Sequence, residues 1–362
     1  MNSSEEYLKT QLENRRESNA LRQLTLDKLP LDFSSNDYLG FAKSEVLKTR
    51  IHNRAAELNN GSGGSRLLSG NSELAEETER LLAQQLSSES VLIFNSGYDA
   101  NLGLISCIAK REDIILYDEL VHASIRDGIR LSFAKSFSFL HNNLDDLKKQ
   151  LSKFKGRIYV IVESVYSMDG DVCPLYDLVL LKKQFDFNII VDEAHAIGVI
   201  GQDYLGLTFD STIRNEIFAR VYTFGKAIGL HGAAVLGSTI LRDYLINFSR
   251  PFIYSTAPTP HSYVSMQEAI KLLRESKELC EKLTQHIKLY NTLTGSTNES
   301  AIKTVVIPGN QNVRAKASEL RALGFDVKAV LAPTVPEGKE RIRICLHSYN
   351  NESDIRKLCS ML

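Results

Sequence analysis

The sequence lacks an excess of either charge, a long apolar run and any paired cysteine spacing. Each absence removes a class of function. The 362 residues carry 43 basic and 44 acidic side chains, a net charge of −1. A surface so balanced does not hold nucleic acid or an anionic membrane by charge alone. No apolar stretch approaches the roughly 20 residues that a spanning helix needs. The opening Met1-Asn2-Ser3-Ser4-Glu5-Glu6 has neither the basic n-region nor the apolar h-region of a signal peptide. A cytoplasmic protein is therefore expected. The five cysteines, Cys107, Cys173, Cys280, Cys345 and Cys359, are scattered, odd in number and without CxxC spacing. They suggest neither a zinc site nor a disulfide framework, and no metal is expected. The Walker A pattern GxxxxGK[ST] is also missing.

What is present reads as a soluble globular chain, 43% apolar and 24% charged, and longer than one ordinary core. Residues 3–22 predict an amphipathic surface helix, docked on the body or on a partner subunit, with Tyr7, Leu8, Leu12 and Leu21 among charged neighbours. From about residue 72 helical and strand-like segments alternate. Short apolar runs fall at Val91–Phe94, Asp113–Tyr117, Arg157–Val162, Asn188–Asp192, Arg220–Phe224 and Ala233–Leu236. Such alternation predicts an α/β domain with a mainly parallel sheet, whose sites lie at the carboxyl ends of the strands. The proline-marked connection from Ser249-Arg250-Pro251 to Pro258-Thr259-Pro260 changes the texture. One long helix over His261–Leu293 and a mixture of short strands and helices then predict a small α+β C-terminal domain. The expected division is 1–35 for an N-terminal helix and short segment, 36–248 for a large domain, and 249–362 for the small one.

Four stretches carry chemistry. Val221-Tyr222-Thr223-Phe224-Gly225-Lys226 is a strand-like run that stops at a glycine, with one lysine immediately after it. A lysine there is either a solvated surface residue or a desolvated amine able to form a Schiff base. Asp192-Glu193-Ala194-His195 follows the run Asn188–Val191. Its aspartate reads as a structural acid near a helix start, or as a partner for a cofactor. A helicase reading of the same four letters fails without a P-loop lysine. Gly61-Ser62-Gly63-Gly64-Ser65 reads as a flexible linker or as a loop whose amides approach an anion. Pyridoxal phosphate (PLP) needs a lysine, a carboxylate for its pyridine nitrogen and a helix N-terminus with small residues for its phosphate. Lys226, Asp192 and Asn95-Ser96-Gly97-Tyr98 supply these in turn. His122 is either structural or a ring-stacking residue.

These motifs, in this order, resemble the α-oxoamine synthase family of fold-type I PLP enzymes. Further carriers are Asn19-Ala20-Leu21-Arg22, Phe33-Ser34-Ser35-Asn36-Asp37-Tyr38-Leu39-Gly40, His122-Ala123-Ser124 and Ser164-Val165-Tyr166-Ser167-Met168-Asp169-Gly170. Tyr254-Ser255-Thr256, Ala332-Pro333-Thr334-Val335-Pro336 and Arg341-Ile342-Arg343 complete the set. The resemblance implies a large domain with a seven-stranded, mainly parallel sheet. It implies that Lys226 binds PLP covalently, that Asp192 pairs with the pyridine nitrogen and that His195 contacts the phenolic oxygen. His122 stacks on the ring and meets substrate. Gly97, Tyr98, Ser167 and Thr223 hold the cofactor, and Thr256 reaches the phosphate across a homodimer interface. Arg343, assisted by Asn36, takes the amino-acid carboxylate, and Arg22 and Thr334 contact the acyl substrate. The implied reaction joins L-alanine to a pimeloyl thioester of coenzyme A or acyl carrier protein, with loss of CO₂. Family members that use glycine and an acetyl thioester, an aminotransferase on the same fold, and a silent scaffold are the alternatives. Two departures concern the acyl pocket: the stretch between Arg22 and Phe33 is short, and Leu331 stands where some synthases carry arginine.

Overall fold

In the computed structural model, which describes residues 3–24, 26 and 29–362, the chain divides into two units. A large unit comprises Asn36–Ser167 and Asp171–Thr284; a terminal unit comprises Met1–Ser35, Met168–Gly170 and Gln285–Leu362. The division thus falls at Thr284 rather than near residue 248, and the first 35 residues group with the last 78 rather than standing alone. The opening Met1-Asn2, and Thr25, Asp27 and Lys28 in the short stretch after Arg22, lie outside the described residues.

Strands are numbered in chain order. The large unit is built on seven: β2 (Ser90–Phe94), β3 (Ile114–Asp118), β4 (Lys135–Phe139), β5 (Ile158–Glu163), β6 (Asn188–Asp192), β7 (Ile217–Thr223) and β8 (Ala233–Gly237). Their spatial order is β2-β8-β7-β6-β5-β3-β4. The inner strands are apolar on both faces because helices cover both; Val160, Ile189 and Val191 are fully buried. Each such side chain contributes about 1.5–3 kcal/mol relative to exposure. Every pairing is parallel except those of β8, which runs antiparallel to both β7 and β2. The reason is chain length. Residues 224–232 are too few for a parallel crossover, so β8 must fold straight back. That return loop carries Lys226.

β4 had no apolar run to announce it. It is an edge strand, Lys-Ser-Phe-Ser-Phe, with Lys135, Phe137 and Ser138 facing solvent. Edge strands are often blunted in this way by a lysine. The expected single helix over His261–Leu293 is two, Pro260–Glu275 and Lys277–Thr294, broken at Ser276. The helix Glu73–Gln85 starts at Ser72, whose hydroxyl accepts from Ala75 N at 3.2 Å. Half of a capping box suffices there.

The terminal unit holds a three-stranded antiparallel sheet, ordered β11 (Lys328–Val330), β12 (Arg341–Cys345), β9 (Ile302–Val306), and a parallel pair, β1 (Leu31–Asp32) with β10 (Phe325–Asp326). Its first helix, Ser3–Glu17, buries no residue; Tyr7, Leu8 and Leu12 are exposed. Among the described residues no helix is long and apolar enough to cross a membrane, and no cluster of His, Cys, Asp and Glu is arranged to hold a metal.

Behind the carboxyl edge of the sheet, His141 bridges two acids. Its Nδ1 lies 2.9 Å from Asp118 Oδ1, and its Nε2 meets Asp171 Oδ2. Asp118 is fully buried at the end of β3; Asp171 lies next to Val172, which forms an antiparallel bridge with Val165. Burial opposes the imidazolium charge, but the hydrogen bonds and charges of Asp118 and Asp171 outweigh it and raise the pKa to about 10. A raised histidine pKa stabilises fully below the unfolded value of 6.5, and the contribution is lost as pH rises through about 10. His141→Ala should cost about 3 kcal/mol at pH 6, because it strips the counter-charge from a buried acid. The figure sits at the low end because Leu120 N and Asn142 N still donate to Asp118. Denaturant melts at pH 6 and pH 10 check this: the gap between wild type and variant should shrink at the higher pH.

Candidate active site

The polar residues that end the central strands converge on one cavity of about 260 Å³ in the large unit. Asp192 is the last residue of β6 and Glu163 the last of β5; Thr223 ends β7, with Lys226 three residues on. Gly97 starts the helix that follows β2, and His122 precedes the helix Ala123–Ser132 that follows β3. All of them line the cavity, together with Asn36, Tyr98, Asn101 and His195. A larger groove of about 660 Å³, lined by Phe41, Leu47, Ile51 and His261 among others, receives none of these strand-end groups.

Lys226 is half-buried. The turn that presents it is held by Phe224 N to Gly232 O at 2.9 Å, Leu230 N to Phe224 O at 2.7 Å and Gly229 N to Lys226 O at 2.8 Å. Gly229 has a φ of 68°, and a Cβ there would lie 2.2 Å from Ala42 N, so only glycine closes this turn.

Asp192 is 6% exposed. Its Oδ2 accepts from Asn101 Nδ2 at 2.7 Å and its Oδ1 from Ala194 N at 2.9 Å. Asn101 lies one helical turn beyond Gly97 and also donates to Ser124 Oγ at 3.1 Å. The two donors fix the orientation of the carboxylate. His122 Nδ1 accepts from Ser124 N at 3.2 Å, with the Ser124 hydroxyl 2.8 Å away. In the neutral ring this assigns the proton to Nε2. Burial and the charge of Lys226 depress the His122 pKa, against the pull of Asp192, so the neutral ring is favoured. Tyr98 crosses the His122 ring edge-on at 6.3 Å and donates its hydroxyl to Asp127. His195 Nδ1 lies 2.7 Å from Tyr38 Oη, which also donates to Asn36 Oδ1 at 3.3 Å.

The residues fit a phosphorylated pyridine. Thr223 Oγ1 is buried and has no hydrogen-bond partner among the described residues, an arrangement that favours an acceptor supplied from outside. Ser96 caps the helix Gly97–Ile108 through Asp99 N at 3.0 Å, which leaves the first-turn amides of Gly97 and Tyr98 as donors without an intrahelical acceptor. A Cβ on Gly97 would come within 2.5 Å of Thr223 Cγ2, so a side chain would displace that threonine. Donors at a helix start, an isolated hydroxyl and an oriented carboxylate match phosphate at one end and a protonated ring nitrogen at the other.

Of the residues expected from the sequence, Ser167 and Thr256 belong to the large unit but do not line the cavity. Thr256 is exposed, and its carbonyl accepts from Asn95 Nδ2 at 3.0 Å. Arg22, Thr334 and Arg343 belong to the terminal unit. There Arg22 Nη2 donates to Thr334 Oγ1 at 2.9 Å, and Arg343 is a buried residue of β12 with Nη1 3.0 Å from Cys345 Sγ. The glycine-rich loop Gly61–Gly70 is absent from the cavity lining. The loop is packed rather than a loose linker: Ala257 N donates to Gly64 O at 2.9 Å and Ser62 Oγ to Pro258 O at 2.5 Å. Asn101 and Glu163 were not anticipated. Asn101 was within reach of the sequence as the i+4 neighbour of Gly97; Glu163 needed the strand register.

Comparison with known proteins matches residues 29–362 to the family described as aminotransferase class I and II. An 8-amino-7-oxononanoate synthase of Emericella nidulans is 40% identical, the match covering 96% of this chain and 92% of the relative. The crystal structure of an 8-amino-7-oxononanoate synthase from Francisella tularensis superposes with a TM-score of 0.80 at 27% identity, covering 91% of this chain and 96% of that one. A serine palmitoyltransferase from S. paucimobilis, solved with a bound PLP–myriocin aldimine, shares the fold with a TM-score of 0.90 at 24% identity, over 99% of this chain and 96% of that one.

Proposed function

Because the chain belongs to the class I and II aminotransferase family, among the 8-amino-7-oxononanoate synthases, we propose that it condenses L-alanine with a pimeloyl thioester. The products are 8-amino-7-oxononanoate, CO₂ and the free thiol, a step of biotin biosynthesis. The observation that carries the chemistry is the oriented Asp192 carboxylate facing one cavity with Lys226 and the helix start at Gly97. Pyridoxal phosphate, when bound, supplies an electron sink for the negative charge that develops on the amino acid's α-carbon.

The chain's own residues then have distinct tasks. Asp192 holds a proton on the pyridine nitrogen. Lys226 would anchor the cofactor, and its amine would serve as the base for the α-proton. Thr223 and the amides of Gly97 and Tyr98 bind phosphate. His195, braced by Tyr38, addresses the phenolic oxygen, and His122 covers the ring with its Nε2 proton available to substrate. Arg343 and Asn36 take the alanine carboxylate, a guanidinium being able to grip it with two bonds. Arg22 and Thr334, already hydrogen-bonded to each other, contact the acyl chain. Ser167 contributes on the cofactor side. The exposed Thr256 serves a neighbouring copy in a cytoplasmic homodimer, and the thioester arrives on coenzyme A or on acyl carrier protein.

Mass spectrometry of products from alanine and glycine, each with pimeloyl and acetyl thioesters, tests this reading. Alanine with the pimeloyl thioester should give the only strong condensation product. A preference for glycine with the acetyl thioester would instead make the enzyme a 2-amino-3-ketobutyrate ligase. Amino transfer to a keto acid without CO₂ release would make it an aminotransferase.

A further inference from the structure

The cavity contains a second buried carboxyl that the reaction above leaves without a task. Glu163 closes β5, is 3% exposed and lies directly across the parallel ladder from Asp192. Residues paired in this way project to the same side of the sheet. Both line the cavity, but their partners differ. Asp192 receives two N–H donors, from Asn101 and Ala194. The Glu163 Oε1 atom accepts the main-chain N–H of His122 at 2.5 Å.

We propose that Glu163 is a positioning residue that acts as a neutral acid, holding the His122 main chain in place without adding a second negative charge to the cavity. The inference rests on reading the cavity as a PLP site. Two carboxyls at neighbouring strand ends do not both ionise cheaply, and Glu163 accepts a main-chain N–H from His122. The charged and titratable groups facing Glu163 are Asp192 on β6, Lys226 after β7, His122 after β3 and Asp118 at the end of β3. Burial and Asp192 push the Glu163 carboxyl up to about 8, against the opposing pull of Lys226 and the His122 N–H. Below that pH the side chain is a neutral hydrogen-bonding group. Above it, a second negative charge enters the cavity that must accept a phosphate.

Glu163→Gln keeps an acceptor for the His122 N–H and cannot ionise; Glu163→Ala loses the acceptor. PLP affinity is read by fluorescence titration of the cofactor-free protein, and thermal melts verify that each variant is folded. At pH 7 the glutamine variant should bind within about 3-fold of wild type, and the alanine variant about 10-fold more weakly, as for one lost buried hydrogen bond. Between pH 7 and pH 9 wild-type affinity should fall more steeply than that of the glutamine variant. A glutamine variant as weak as alanine at pH 7 overturns the inference, because it would mean that the ionised carboxylate is needed. Parallel pH profiles for wild type and glutamine, or wild-type affinity in the alanine variant, overturn it equally. Failure of the wild type to bind PLP overturns the cofactor reading as well; the other outcomes, with wild-type binding intact, overturn this inference alone.

Discussion

Lys226→Ala is expected to abolish the visible absorbance of the covalent lysine–cofactor complex and to lower turnover by at least about 10³-fold. The loss combines the two tasks proposed for one amine: covalent anchoring, and transfer of the α-proton, which as general base catalysis alone is worth about 10²–10⁴-fold. Among the described residues no other lysine lines the cavity, so no neighbouring amine takes over. Histidines do line it, but an imidazole at His122, His195 or His231 does not replace a primary amine as the anchor. The fold should tolerate the change. Lys226 is half-buried, and its turn is held by main-chain hydrogen bonds from Phe224, Gly229 and Leu230. The variant should therefore melt close to wild type. Absorbance spectroscopy of the purified variant with PLP, followed by a turnover assay, decides the matter; wild-type turnover would sink the assignment.

Asp192→Asn is expected to lower the rate by about 10²–10³-fold, the scale seen when one preorganised group facing developing charge is removed. The substitution is nearly isosteric, and the structure offers it a way to remain folded. Asn101 Oδ1 is buried without a hydrogen-bond partner among the described residues. A flip of the Asn101 amide presents that oxygen to the N–H₂ of the introduced side chain. The introduced amide oxygen, standing where Asp192 Oδ1 stood, still accepts from Ala194 N. What disappears is the carboxylate and, under the role proposed for Asp192, the proton it would hold on the pyridine nitrogen. The direct measurement is exchange of the alanine α-hydrogen into deuterated solvent, followed by NMR without any thioester present. Exchange at the wild-type rate would exclude the role given to Asp192, whatever the rate of the full reaction.

The two residues behind these expectations are legible along the chain itself. Parallel strands covered on both faces read as apolar runs, and a polar residue at the end of such a run stands out. Asp192 after Asn188–Val191 and Lys226 after Arg220–Phe224 are both of this kind. Gly97 is legible because a small residue following Ser96 marks a helix start. The resemblance of the ordered motifs then adds roles that no single run carries.

Local sequence therefore determined which residues end the strands and what chemistry each offers, because burial on both faces leaves its mark along a single strand. It also placed a glycine on either side of Lys226, although the close approach of Ala42 that requires glycine at 229 is itself a contact between distant segments. Only the tertiary structure decided relations that depend on pairing between distant segments. The β5–β6 register made Glu163 the neighbour of Asp192. The approach of the helix Gly97–Ile108 to the end of β6 made Asn101 its donor. The contacts at Ala257 and Pro258 turned a glycine-rich stretch into packed structure rather than a linker. The edge strand β4 became visible only once β3 supplied its partner, since exposed edges carry no continuous apolar run. In each case the information lies in a contact between segments distant in sequence, which a pattern along the chain does not encode.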